Sequence, residues 1–505
     1  MAFNFFKKTE TADLILHNGH IFTQDPQMPW TSAVACKDEK ILGVGDFEGM
    51  QHLIGPDTQV IDLGEKYMLP GFIDVHRSPV LKVFDGRYLD LTDCHTTEDV
   101  LEAVQWFAED NPDDEILFGY GYNDPLRPSD APSDNADPAG FESQNDDEAG
   151  VERQNDDDEE ADPENPRSRS AEILSRACDD RPVILLAKSC VDCWTNLASD
   201  QIITDTAEEE VVQTITTSYA LNLLIPFDFE DVELSVKQEI EALSDKGFTS
   251  VLNLGAPDYF ENLYQDAIMG LYNEGEMRQR FFGSYYANRP LLPAVFLHKL
   301  STRRTNCIEM GEMVHADMLN LYLENATSPA PFSQDALNLI LEQISDKNFG
   351  IFLEAVNEED LLMAYKALEH VRSKGYKNTF VIASDYELPD DKIGELYHAE
   401  DCIKTWGSTL MAQTSLSGHA QSTAEAIDQL TVQAAAVLGK SGELGMITKG
   451  RLADFVVFDE DPFSFDLKTF FKLHASMTIL GGQVVYDADA EADMELYNLM
   501  SSQHL

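Results

Sequence analysis

One histidine follows an apolar run near the start of the sequence. Residues 70–78 read PGFIDVHRS, a pattern that predicts a strand ending near His76. Side chains two residues apart on a strand point to the same side, so a His-x-His at a strand end offers two imidazoles to one metal ion. Here Ser78 takes the second position. The stretch therefore predicts a strand that carries one imidazole toward a reactive centre and lacks a second.

Two cysteines, Cys190 and Cys193, have the spacing of a redox dithiol or of half a zinc site. A complete zinc site needs two further ligands, and the sequence contains no second Cys-x-x-Cys. A redox pair usually opens a helix, whereas this pair follows a predicted strand. We interpret the pair as structural and keep a thiol redox protein as a distant alternative.

The composition excludes several classes of function. The chain has 505 residues, 43% of them hydrophobic, enough for a large core and, by length, for more than one domain. Its formal net charge of −56 repels phosphate backbones and anionic lipids, which argues against nucleic-acid and membrane partners. Seven cysteines, an odd number, argue against a disulfide framework. The opening MAFNFFKK lacks the apolar core of a signal peptide, so we expect a cytoplasmic protein.

An acidic segment at 123–166 interrupts the sequence. It contains the similar units FESQNDDEAG and VERQNDDDEE and has almost no apolar residues. Such a composition cannot offset its ordering entropy by burial, which predicts a disordered, solvated insertion. A calcium site is disfavoured there because no Asp-x-Asp-x-Asp-Gly loop occurs.

Two patterns share the rest of the chain. Short β-branched runs at 12–23, 32–45 and 58–71, and again at 445–463 and 475–487, predict a small β unit. Between them, the apolar runs EILFGYGY, RPVILLAKS, TSVLNLG, MLNLYLEN, FGIFLEAV and NTFVIAS alternate with helical stretches such as EEDLLMAYKALEHVRSKG. Buried strands that alternate with amphipathic helices predict parallel βα units, for which a barrel fits best.

The predicted fold class is therefore α/β. We expect a (β/α)8-type, TIM-like barrel, complete or incomplete, with a small composite β-sandwich domain built from both chain ends. Neither end alone has enough strands to bury a sheet face. The predicted bounds are 1–68 with 445–490 for the composite domain, 69–444 for the barrel, and 123–166 for the insertion within it.

Two motifs near the chain ends resemble the amidohydrolase superfamily, in particular its amidohydrolase-3 (YtcJ-like) branch. They are GEKYMLPGFIDVH, which ends at His76, and GELGMITKGRLADFVVFDEDPF. The segment RPVILLAKSCVDCWTNLA is similar to a strand of that branch, with Trp194 and Asn196 matching. The resemblance covers most of the chain outside the acidic insertion. It implies a metal-dependent hydrolase of non-peptide C–N bonds.

The resemblance also implies a metal centre at the carboxyl ends of the barrel strands. The family uses a His-x-His, a bridging lysine, two further histidines and a late aspartate. His76 matches the first histidine. Other residues occupy the remaining positions: Ser78 for the second histidine, Asn320 for the lysine, Glu354 and Ala383 for the later histidines, and Val191 for a pocket histidine. The strand to which Asp385 belongs stays ambiguous. The motif ASD resembles the family's last barrel strand, whereas the spacing of this motif from Glu354 suits an earlier strand.

Two functional hypotheses follow. The leading one is an amidohydrolase-like protein whose inherited metal catalysis is impaired or lost and which serves in binding or regulation. The alternative is an active amidohydrolase with a metal site rebuilt from His76, Glu354 and Asp385, in which Asp385 is also the catalytic residue. The expected cofactor is accordingly none, or one weakly bound zinc, manganese or magnesium ion. The expected partner is a small-molecule substrate or ligand, and a homo-oligomer is compatible with the sequence.

Overall fold

The computed structural model describes the chain in several ranges. They are 11–78, 83–84, 86–128, 168–178, 180–188, 190, 192–206, 220–221, 224, 227–255, 258–324, 331–393, 396, 398, 401–405 and 420–492. Nearly all of the predicted acidic insertion, and Val191, lie outside the described residues. Among the described helices, none combines the length and the apolarity that crossing a membrane requires.

Strands from the two ends of the sequence form one sheet. They are β1 (Leu14–Phe22), β2 (Trp30–Lys37), β3 (Lys40–Gly45), β4 (Gln59–Asp62), β5 (Tyr67–Pro70), β17 (Phe455–Phe458), β18 (Met477–Leu480) and β19 (Gln483–Asp487). Their order is β19-β18-β17-β5-β1-β2-β3, and β4 pairs with β1. The two ends meet where β5 and β17 pair antiparallel. The sandwich packing and the domain bounds stay predictions.

Alternating burial explains this sheet. Leu14 and Leu16 of β1 face one apolar core, whereas Ile15 between them faces another, because successive side chains on a strand point to opposite faces. The second of these cores includes Met50 of the short helix α1 (Phe47–Met50). Short helices also occur near the carboxyl end: α11 (Thr423–Asp428), α12 (Ala434–Val437) and α13 (Leu467–Phe470).

A curled parallel sheet, in effect a half-barrel, occupies the middle of the chain. In the described ranges its strands are β6 (Phe72–Arg77), β11 (Phe248–Asn253), β12 (Arg280–Ala287), β13 (Val314–Leu323), β14 (Gly350–Ala355), β15 (Phe380–Ala383) and β16 (Ile403–Thr405). Their order is β16-β15-β14-β13-β12-β11-β6, with every neighbouring pair parallel. The predicted α/β class with parallel strands is therefore confirmed.

Helices connect these strands. They are α5 (Phe229–Asp245), α6 (Asp258–Glu274), α7 (Pro293–Cys307), α8 (Gln334–Asp346), α9 (Glu358–Ser373) and the short α10 (Asp390–Ile393). Helix α9 shows why they form: Asn357 caps its first turn by accepting from Asp360 N–H. Leu361 and Leu368 then recur at helical spacing and pack, with α8, against the sheet.

Two of the predicted strand runs, EILFGYGY and RPVILLAKS, belong to a different sheet. They form β8 (Leu117–Tyr122) and β9 (Val183–Ala187), which pair in parallel, with β7 (Leu89–Asp90) and β10 (Cys193–Thr195) at the edges. This sheet and the helices α2 (Thr97–Asp110), α3 (Ser168–Ser175) and α4 (Leu197–Thr206) fall within residues 84–226, a separate compact unit. Residues 1–83 and 227–505 form the other unit.

Candidate functional site

Three buried polar side chains lie at the half-barrel strands. His76 is 3% exposed, and Asn320 and Glu354 are both 0% exposed. Leu321 follows Asn320 and Leu353 precedes Glu354 in the sequence. Both leucines pack into the core formed with α8 and α9. Strand alternation therefore turns Asn320 and Glu354 to the opposite face of the sheet. We call His76, Asn320 and Glu354 the strand-end cluster.

The amide of Asn320 organises the strand-end cluster. Its Nδ2 donates to Glu354 Oε1 at 2.7 Å and to Leu254 O at 3.0 Å. Asn320 Oδ1 and Glu354 Oε2 are buried and make no hydrogen bond to any described residue. The His76 ring meets the Phe352 ring edge to face, with 6.4 Å between centroids. The cluster therefore presents two polar atoms that a bound molecule can satisfy.

Burial sets the ionisation of Glu354. Complete desolvation raises the pKa of this carboxyl, and the charge of His76 and the hydrogen bond from Asn320 only partly oppose it. The neutral acid is consequently favoured over a wider pH range than for an exposed glutamate. A neutral carboxyl donates a hydrogen bond and is a poor ligand for a cation.

Glu354→Gln tests this ionisation. The folded state keeps its proton to higher pH than the unfolded state does, so the wild-type free energy of unfolding should fall as pH rises above about 4.3. Glutamine preserves the acceptor for Asn320 and cannot ionise. We therefore expect the free energy of unfolding of Glu354→Gln, measured relative to wild type in urea titrations, to rise with pH above about 4.3. The exposed Glu359→Gln is the control, and parallel wild-type and Glu354→Gln curves would contradict the assignment.

The other predicted residues have different surroundings. Ser78 is buried and donates from Oγ to Gly255 O at 2.9 Å. Ala383 is opposite Glu354 in the β14–β15 register. Asp385 lies two residues beyond β15 and is exposed. Because β16 follows β15 in the sheet, Asp385 comes after the earlier of the two strands considered for it. Its metal-binding and catalytic roles stay predictions.

The described residues of the strand-end cluster do not by themselves make up a divalent-metal centre. Across the described ranges, no group of three or more His, Cys, Asp and Glu side chains is arranged to hold a metal ion. The strand-end cluster combines one imidazole with an amide and with a carboxyl whose burial favours the neutral form. A catalytic zinc usually needs three protein ligands and an open position.

The matched residues of the other unit have structural contacts. Trp194 Nε1 donates to Ser170 O at 2.8 Å. Asn196 Oδ1 accepts from Val183 N and from Ser199 N, both at 3.0 Å, which ties β9 to the start of α4. The thiol of Cys190, before β10, and that of Cys193, the first residue of β10, are both buried, and α4 begins only at Leu197. The two cysteines therefore do not lie at the start of a helix, where a redox thiol is usually activated. A redox role for the pair stays an alternative.

Comparison with known sequences decides the family. The sequence profile of the amidohydrolase family matches residues 59–381 and 405–486. This chain belongs to the amidohydrolase family. The profile includes His76, Asn320 and Glu354, so the strand-end cluster lies within the matched part of this amidohydrolase.

Individual relatives match shorter parts of this amidohydrolase. YtcJ of Bacillus subtilis (strain 168) is 31% identical over 111 residues, 22% of this chain and 21% of YtcJ. Adenine deaminase 1 of Carboxydothermus hydrogenoformans is 46% identical over 90 residues, 17% of this chain and 14% of the deaminase. The chain thus spans less than a quarter of the length of either relative in these matches.

The fold likeness covers more of the chain. The crystal structure of an uncharacterised metal-dependent hydrolase from Pyrococcus horikoshii OT3 superposes with a TM-score of 0.54 and 15% sequence identity. The superposition covers 90% of this amidohydrolase and 98% of the Pyrococcus chain. At that identity the likeness concerns the fold alone.

Proposed function

We propose that this amidohydrolase binds a small molecule at the strand-end cluster and that its inherited metal-dependent hydrolysis is impaired or lost. The observation that carries the proposal is the hydrogen-bonded Asn320–Glu354 pair, which occupies positions where the resemblance implies a lysine and a histidine. An amide and a neutral carboxyl bind polar groups by hydrogen bonding and do not activate water as an enclosed metal does.

The chemistry of the pair indicates which ligands it suits. Burial favours the neutral form of Glu354, and in that form its carboxyl O–H donates a hydrogen bond while Asn320 Oδ1 accepts one. A neutral amide, urea or lactam offers one acceptor and one donor close together and matches both. The proposed ligand is therefore a small molecule with an amide-like group, which is also the bond type that the family resemblance implies. The cytoplasmic location, the homo-oligomer and the sandwich packing stay predictions.

Metal analysis of protein purified without chelators tests the proposal. By inductively coupled plasma mass spectrometry, we expect well under one equivalent of zinc, manganese, iron or magnesium per protein chain. Ser78→His should not raise this content, because one restored imidazole still leaves the ion mostly hydrated and weakly held. The exposed His52→Ala serves as a control for nonspecific binding by histidine.

The opposite result has a definite form. Stoichiometric metal in the unmodified protein, lost together with amide-hydrolysing activity in His76→Ala but retained in His52→Ala, would overturn the proposal. It would support the rebuilt site of His76, Glu354 and Asp385 instead.

A further inference from the structure

Thr405 adds a buried polar group to the sheet that carries Asn320 and Glu354. It belongs to β16 and is 1% exposed. Its Oγ1 is buried and makes no hydrogen bond within the described part of the chain. A hydroxyl in this state costs stability, because the hydrogen bonds that it made to water before folding are not replaced. A bound molecule that supplies the missing partner recovers that cost.

The register of the sheet places Thr405 and Glu354 on one face. Glu354 is opposite Ala383 in the β14–β15 pair, and Ala383 is opposite Thr405 in the β15–β16 pair. Residues paired in this way in a parallel sheet point to the same side. Ile382, which precedes Ala383, packs instead into the core formed with α8 and α9, on the opposite face. Thr405 therefore faces the same side of the half-barrel as the Asn320–Glu354 pair.

A single strand separates the two polar positions, and its side chain between them is small. Neighbouring strands lie about 4.8 Å apart, so the backbone of Thr405 is about 10 Å from that of Glu354 across the sheet. Ala383 projects only a methyl group into this interval. The face thus has polar atoms at two points, the Asn320–Glu354 pair and Thr405 Oγ1, with an apolar step between them.

We infer that Thr405 binds ligand together with the strand-end cluster, and that the ligand is a short molecule with an amide at each end of an apolar chain. One amide would lie at the Asn320–Glu354 pair, and the chain would cross Ala383. The second amide would bond to the Thr405 hydroxyl, which both donates and accepts. This inference rests on the proposed function, from which it takes the first amide.

Matched pairs of amides test the inference on the full chain. Butanediamide and hexanediamide have an amide at both ends, whereas butanamide and hexanamide have the same chain lengths and one amide each. Calorimetric titration should show at least one diamide binding about five- to tenfold more tightly than its monoamide, as expected for one added neutral hydrogen bond. Thr405→Val should abolish this preference and leave the affinity for the monoamides unchanged, because it removes only the hydroxyl.

Ser345→Ala is the matched control. Ser345 Oγ is also buried and makes no hydrogen bond to a described residue, but it belongs to α8, which packs on the other face of the sheet. Its loss should leave the preference for diamides intact. Without ligand, Thr405→Val should melt no lower than wild type, since the hydroxyl that it removes stabilises no described contact.

The outcomes separate this inference from the proposed function. The comparison of amides on the unmodified protein does not depend on the folding of Thr405→Val. Equal affinity for diamides and monoamides, a preference that survives in Thr405→Val, or a clearly lower melting temperature of this variant would overturn the inference and leave the proposed function standing. Binding of neither kind of amide would overturn both.

Discussion

Asp454→Ala is expected to lower the free energy of unfolding by about 3–5 kcal/mol, because it strands a buried charge. The Arg280 side chain is 0% exposed and that of Asp454 is 3% exposed. Arg280 Nε and Nη2 donate to the two Asp454 oxygens at 2.8 and 3.0 Å. Asp454 Oδ1 also accepts from Gly481 N at 2.7 Å. Without the carboxylate, the guanidinium keeps its charge and loses its buried partner, while the half-exposed Glu39 carboxylate stays beside Nη1, with Oε2 at 3.4 Å. Denaturant titration followed by circular dichroism measures the loss.

Two companion variants separate charge from packing. Removing both charges with Arg280→Met and Asp454→Leu together should cost much less than Asp454→Ala alone, since apolar replacement of a buried pair is often nearly neutral. Asp346→Ala breaks the exposed pair with Lys347 and should leave the unfolding midpoint nearly unchanged. An Asp454→Ala protein as stable as wild type would show that Glu39 alone is a sufficient partner for the guanidinium.

Gly247→Ala is the second substitution with a large expected effect, about 2–4 kcal/mol from backbone strain and overpacking together. Gly247 has φ of +82°, which side chains disfavour, and an added Cβ would lie 2.2 Å from Val456 Cγ2. The chain cannot easily withdraw, because Gly247 O accepts from Phe72 N at 3.0 Å. Thermal and denaturant unfolding measure the effect.

Gly275→Ala is the matched control for Gly247→Ala. Gly275 has φ of +73°, but no atom lies within 4 Å of its added Cβ. Gly275→Ala therefore measures the cost of backbone strain without a steric clash. Combining Gly247→Ala with Val456→Ala should relieve part of the steric cost. Equal destabilisation by the two glycine substitutions would contradict the close approach of Gly247 to Val456.

The sequence predicted strands where apolar residues run continuously. Four of the predicted runs form strands of the half-barrel sheet: TSVLNLG forms β11, MLNLYLEN β13, FGIFLEAV β14 and NTFVIAS β15. These strands are consecutive in the sheet except that β12 lies between β11 and β13. Strand β12 was missed because Arg280 and Gly283 interrupt its apolar pattern, and the carboxylate that allows Arg280 to be buried, Asp454, is far away in sequence. Local patterns also do not specify which sheet a strand joins, so β8 and β9 were not separated from the half-barrel.

The candidate site was only partly predictable. His76 could be predicted because its run is apolar and ends at the histidine. The Asn320–Glu354 hydrogen bond could not, because it depends on the register of two strands and on the burial of both side chains. Resemblance and spacing pointed to different strands for Asp385, and its exposure depends on how the chain leaves β15. Side-chain burial beyond a strand end is a tertiary property.

The pairing of β5 with β17 has a consequence for the kinetics of folding. These strands lie near opposite ends of the sequence, so the contact order of this sheet is high and its completion must be slow. During synthesis β5 has one open edge until β17 leaves the ribosome, after the half-barrel strands have already emerged. Unpaired strand edges attract other chains, so the nascent protein is most prone to aggregation in this interval. The yield of soluble protein should therefore depend on chaperone supply during translation as well as on the stability of the finished fold.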